Sequence, residues 1–96
     1  MVLDKQHYSP FSERALGQVL HARGADTLVI TGGETDVCVL ATVMDAVDAG
    51  YRVIVASDAL CSVSDEMHEA LLQLYRDRYG QQIEIASTEE ILNAWC

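Results

Sequence analysis

Apolar positions along the chain recur with alternating helical and strand periods. Residues 9 to 23 open on Ser9-Pro10 and then place Phe11, Ala15, Leu16, Val19 and Leu20 at helical spacing before Gly24, which predicts an amphipathic helix. Thr27 to Thr31 (TLVIT) is a short β-branched run closed by Gly32-Gly33, the signature of a strand buried on both faces in a parallel sheet. A second helix, capped by Thr35 or Asp36, carries Val37, Val39, Leu40, Val43, Met44 and Val47, with Gly50 just past its end. Arg52 to Ser57 repeats the strand signature. Ser64 or one of its neighbours then begins a helix with Met67, Ala70, Leu71, Leu74 and Tyr75 on one side before Gly80. A last strand at 83 to 87 leads into Ser87-Thr88-Glu89-Glu90, a capping-box pattern, and a short helix bearing Ile91, Leu92 and Trp95.

Strands separated by helices make this an α/β chain with a parallel, Rossmann-like sheet between helical layers, a three-layer α/β/α arrangement with about three main strands. No repeat, linker or low-complexity stretch divides residues 1 to 96, so one domain is expected. A three-strand sheet is narrow, however, and the strand at 27 to 31 falls at an uncovered edge although its sequence is apolar. A partner chain or a second copy in a homo-oligomer would cover such an edge.

Charge narrows the function classes. Six basic against fifteen acidic side chains give a net charge of −9, which repels a phosphate backbone and excludes nucleic acid as a partner. No apolar run approaches the roughly 18 residues of a membrane span, and MVLDKQHYS lacks the regions of a signal peptide, so the expected compartment is the cytoplasm. Cys38, Cys61 and Cys96 stand at no metal spacing and argue against a disulfide framework, while His7, His21 and His68 are scattered over separate elements and suit the surface or rim. No metal and no cofactor is expected.

Candidate chemistry concentrates at 32 to 38. Ligands of open α/β sheets bind at the carboxyl ends of the strands, and the turn GGETDVC puts Cys38 in the first turn of a helix there, where free backbone N–H groups point outward. A helix N-terminus contributes about 0.3 to 2 kcal/mol, too little by itself to ionise an ordinary thiol at neutral pH, so a cation or base is needed. Lys5 is the natural candidate, as the chain's only lysine. Thr35 and Asp36 are most simply helix caps. Cys61 suits packing, with a redox pair to Cys38 as the sharper alternative.

Three tracts carry a family resemblance: DKQHYSPF at 4 to 11, GGETDVCV at 32 to 39, and the run from Asp45 through Gly50-Tyr51-Arg52-Val53 to Ser57-Asp58-Ala59. Together they resemble the isochorismatase-like cysteine hydrolases, a group that includes nicotinamidases and N-carbamoylsarcosine amidases, over roughly residues 4 to 95. The resemblance implies that Cys38 is the nucleophile that attacks the carbonyl of a small amide-like substrate, and that Lys5 holds and polarises the thiol. It implies a cis peptide between Gly33 and Glu34, with the Glu34 and Cys38 N–H groups facing the developing oxyanion. Apart from the resemblance, Phe11 and Trp95 suit core or interface packing, with a small pocket walled by Tyr8 and Phe11, which flank the lysine tract, as the alternative.

The family's catalytic aspartate precedes its lysine by many tens of residues, whereas four residues precede Lys5 here. The expectation is therefore a partial domain without the family's first strands, with substitution by Asp4 or Asp58 as a disfavoured alternative source of the acid. Its rival is a silent fragment or interaction module that pairs through its strand edge.

Overall fold

The computed structural model describes residues 8–12, 14–35, 37–62 and 64–94. Expectations for Asp4, Lys5, His7, Asp36, Trp95 and Cys96 lie outside the described residues. The elements are α1 (Arg14–Ala22), β1 (Thr27–Gly33), α2 (Cys38–Asp48), β2 (Arg52–Cys61), α3 (Asp65–Tyr79), β3 (Ile83–Ala86) and α4 (Thr88–Ala94), preceded by a 3-10 turn at Pro10–Ser12. The run expected as one helix over 9 to 23 is thus a turn followed by a shorter helix. Ser9 explains the tight start: its buried hydroxyl accepts a hydrogen bond from the Phe11 N–H at 3.2 Å.

The strands form a parallel sheet in the order β1-β2-β3. Leu28, Val53 and Ile83 share one register row, and Ile30, Val55 and Ile85 the next but one, so these side chains point to one face. That face carries the core. Ile30, Val53, Val55 and Ile83 pack there with Val39, Val43 and Ala46 of α2 and Leu71, Leu72 and Tyr75 of α3. On the opposite face Val29, Ile54 and Glu84 line a groove with Ile91 and Ala94 of α4. Helices therefore flank both faces in an α/β/α sandwich, and no helix among the described residues is long and apolar enough to cross a membrane.

Among the described residues β1 is an edge strand, and Val29 is 40% exposed, so the run expected to be buried on both faces is buried on one. α1 likewise has no fully buried residue despite its amphipathic spacing. Arg52 pairs with Glu84 at 2.6 Å on the exposed face, a bond of small worth at that exposure.

Local capping follows the sequence at two helices. Ser64 accepts from the Met67 N–H at 3.3 Å to start α3. At α4, Ser87 N–H donates to Glu90 Oε1 at 3.0 Å while Glu90 N–H donates to Ser87 Oγ at 3.1 Å, a reciprocal capping box. Both arrangements need only residues three apart.

Candidate functional site

The site is built where β1 gives way to α2. Up to Ile30, β1 pairs regularly with β2, but from Ile30 to Gly32 on β1 the partner advances from Val55 to Leu60. β2 therefore bulges at its carboxyl end, and its last residues, Leu60 and Cys61, face Gly32 and Gly33. Two glycines suit this place. Gly32 has φ +111°, a conformation that side chains disfavour, and a Cβ on Gly33 would lie 2.7 Å from Cys61 Sγ. The peptide bond from Gly33 to Glu34 is cis.

The turn that follows is held by backbone and side-chain bonds. The Glu34 carbonyl accepts from the N–H groups of Val37 and Val39 at 3.1 and 3.0 Å. Thr35 is fully buried; its N–H donates to the Cys61 carbonyl at 2.9 Å, and its hydroxyl lies 3.2 Å from the same carbonyl and 2.9 Å from His68 Nδ1. The N-cap position of the helix is Val37, and no side chain among the described residues caps it. The expected Thr35 cap is thus replaced by the Glu34 carbonyl, because the Thr35 hydroxyl is turned toward β2 and α3.

Cys38 opens α2, half-buried, at the carboxyl end of β1. Its carbonyl accepts from the Thr42 hydroxyl one turn on, at 2.7 Å. Cys38 lines a shallow depression of about 200 Å³ whose other described lining residues are Pro10, Ile30, Thr31, Gly33, Val39 and Thr42. A larger groove, of about 540 Å³, lies under α4 on the other face and has no cysteine in its described lining, so its size does not make it the site of the thiol chemistry.

Of the residues singled out in the sequence, the structure brings Cys38 and Gly33 together, with Glu34 following Gly33 directly. Lys5 lies outside the described residues. Tyr8 is 66% exposed, and the Phe11 ring packs on Tyr51 with centroids 5.9 Å apart; neither is among the described residues lining the depression, which takes Pro10 from the same tract. Asp58 caps α4, its carboxylate accepting from the Thr88 N–H at 2.8 Å and hydroxyl at 2.7 Å. The Thr88 hydroxyl first, then its N–H, hold Asp58 below the usual aspartate range. Such a carboxylate is a poor proton acceptor. Cys61 and Cys38 form no disulfide, and no group of three His, Cys, Asp or Glu side chains among the described residues is placed to hold a metal.

Sequence reasoning missed Thr35 and His68 as a pair. Each has an innocent local explanation, and they meet only because β2 runs on to Cys61 before α3 begins.

Comparison with known proteins decides the family. A family model described as the Isochorismatase domain matches residues 1–87. The chain belongs to the isochorismatase family. Among curated relatives it is similar to maleamate amidohydrolase from Pseudomonas putida, 36% identical over 83 residues, covering 86% of this chain and 39% of that protein. Among solved structures it resembles an isochorismatase-like hydrolase from Alkaliphilus metalliredigens, with a TM-score of 0.86 and 34% identity over 96% of this chain and 48% of the other. A pyrazinamidase/nicotinamidase from Streptococcus mutans superposes with a TM-score of 0.80 at 40% identity, over 88% of this chain and 45% of that one. The chain thus spans less than half the length of these relatives.

Proposed function

We propose that this isochorismatase-family chain carries the nucleophile half of a cysteine amidase acting on the C–N bond of small amides. The observation that carries the reading is the position of Cys38, in the first turn of α2 directly after the Gly33–Glu34 turn and open to a depression at the carboxyl end of β1. The names of the relatives, an amidohydrolase and an amidase, support an amide substrate.

In this mechanism the Cys38 sulfur attacks the amide carbonyl carbon and the carbonyl oxygen takes up negative charge, facing the N–H groups of Glu34 and Cys38. The C–N bond then breaks, the amine leaves with a proton, and water hydrolyses the thioester to release the acid and restore the thiol. Lys5 supplies the cation beside the sulfur. An aspartate completes the proton relay; with Asp58 engaged at α4, the candidates are Asp4 and an acid carried on another segment.

The test is ammonia release from a panel including maleamate and nicotinamide. Cys38→Ala should abolish turnover and Lys5→Ala should lower it at least about 100-fold. Ammonia release by Cys38→Ala at the parent rate would end the reading.

The edge position of β1 favours a second reading, in which the chain acts as a module that pairs its open strand with another polypeptide or a second copy. Under it, ammonia release is absent from the chain alone and sedimentation shows an assembly that a Val29→Lys change disrupts.

A further inference from the structure

The Thr35 hydroxyl has one proton and two polar neighbours, the Cys61 carbonyl at 3.2 Å and His68 Nδ1 at 2.9 Å. A carbonyl only accepts. Both contacts are satisfied at once when the hydroxyl donates to Cys61 and accepts from a protonated Nδ1 of His68. Around the same residue, the Thr35 N–H donates to the Cys61 carbonyl at 2.9 Å, and the Tyr75 hydroxyl donates to the Thr35 carbonyl at 3.4 Å. Thr35 is fully buried, and its bond with Tyr75 is buried, while those of its hydroxyl with Cys61 and His68 are part-buried.

The geometry points to His68 as a positioning residue: through the Thr35 hydroxyl it holds the Gly33–Glu34–Thr35 turn, and with it the direction of the Glu34 N–H. The inference rests on the cysteine-amidase reading for its effect on rate, but not for its effect on the turn. Peptide planes transmit the hold. The Thr35 N–H and the Glu34 carbonyl belong to one plane, fixed at one end by Cys61 and at the other by the N–H groups of Val37 and Val39. On the other side, Gly33 is fixed by its register with Cys61. Glu34 is thereby pinned at both flanks, and its N–H direction follows from theirs. His68 reaches this turn from the first part of α3, where its own N–H donates to the Ser64 carbonyl at 3.0 Å. The start of α3 is itself set by the Ser64 cap.

The experiment compares the parent chain with His68→Leu and His68→Asn, the latter offering an amide N–H near the position of Nδ1. Two readouts are taken: amide hydrogen exchange over residues 33 to 39 against the strand amides of 53 to 55, and kcat and KM for ammonia release. His68→Leu should speed exchange in the turn about tenfold without changing the strand, and lower kcat about tenfold at constant KM, the effect of one lost hydrogen bond. His68→Asn should keep both near the parent values. Unchanged exchange in His68→Leu overturns the inference, as does a loss confined to KM or an Asn variant as impaired as the Leu one. Turnover retained by Cys38→Ala would instead sink the amidase reading, and leaves the exchange comparison to judge the hold on the turn by itself.

Discussion

Alanine at position 33 is the sharpest probe of how the site is packed. A Cβ there would stand 2.7 Å from Cys61 Sγ and 3.5 Å from the Cys61 carbonyl oxygen. The second contact is ordinary, while the first falls roughly 1 Å inside the optimum separation of such atoms. Gly33, unlike Gly32, does not have a positive φ, so the cost is one of space and not of backbone conformation. Overpacking in a tight site costs about 1 to 3 kcal/mol. Cys61 is exposed and turns about a single side-chain bond, so its sulfur can swing aside at the expense of its rotamer, which puts the change at the low end, about 1 kcal/mol.

A double-mutant cycle separates this contact from everything else the substitution does. Cys61→Ala removes the sulfur but keeps the carbonyl that anchors Thr35, and should by itself change stability little. Urea unfolding of the four proteins is the assay; for a chain of this size about 1 kcal/mol corresponds to a midpoint shift of about 1 M. Gly33→Ala should lower the midpoint by that amount in the parent and by much less in the Cys61→Ala background, a coupling of about 1 kcal/mol. Additivity within about 0.3 kcal/mol would refute the argument, because it would place the cost of a side chain at 33 somewhere other than the Cys61 sulfur.

Two further outcomes follow from the core and from α4. Val43 is completely buried between α2 and the sheet, and Val43→Ala should cost about 2 kcal/mol by lost burial and an unfilled cavity, read as a fall in the urea midpoint with unchanged slope. Asp58 and Glu90 both have lowered pKa values, Asp58 through Thr88 and Glu90 through the Ser87 N–H and then its hydroxyl. A carboxyl group whose folded pKa is depressed adds stability above its unfolded pKa, near 4, and loses it as pH falls through the folded value. Stability should therefore drop on acidification from pH 5 toward 3, and Asp58→Asn should flatten that limb; equal acid slopes for the two proteins would count against the cap.

What the sequence made legible was local. The β-branched runs at 27 and 52 and the caps at Ser64 and Ser87 depend on neighbours within a few positions, and each stands where its pattern puts it. The end of β2 was not legible at Ser57, because Asp58-Ala59-Leu60-Cys61 lacks a strand pattern and is held by its pairing across the bulge to Gly32 and Gly33. Thr35 reads as a cap for the same reason that His68 reads as a surface or rim histidine: they are each other's partners, across two elements. Burial of β1 was overestimated because apolar composition reports what a strand can bury, while its place in the sheet order decides how much it does.

That edge position also bears on the chemistry. The depression at Cys38 takes Ile30, Thr31 and Gly33 of β1 as one wall, so the candidate nucleophile lies beside the strand that no other described strand flanks on its outer side. At about 200 Å³ it is smaller than the roughly 300 to 1,000 Å³ of most ligand sites. A strand paired to the outer edge of β1 would raise a second wall along that depression and place its own carboxyl end beside Cys38, because parallel strands end together. Under the amidase reading, covering this edge and completing the site would be one geometric event: polypeptide paired there would also bring an acid to the side of the strand that walls the Cys38 depression. An amidase built this way should gain turnover and edge protection together. Exchange of the β1 amides slowed by a partner without any gain in ammonia release would separate the two and break the link.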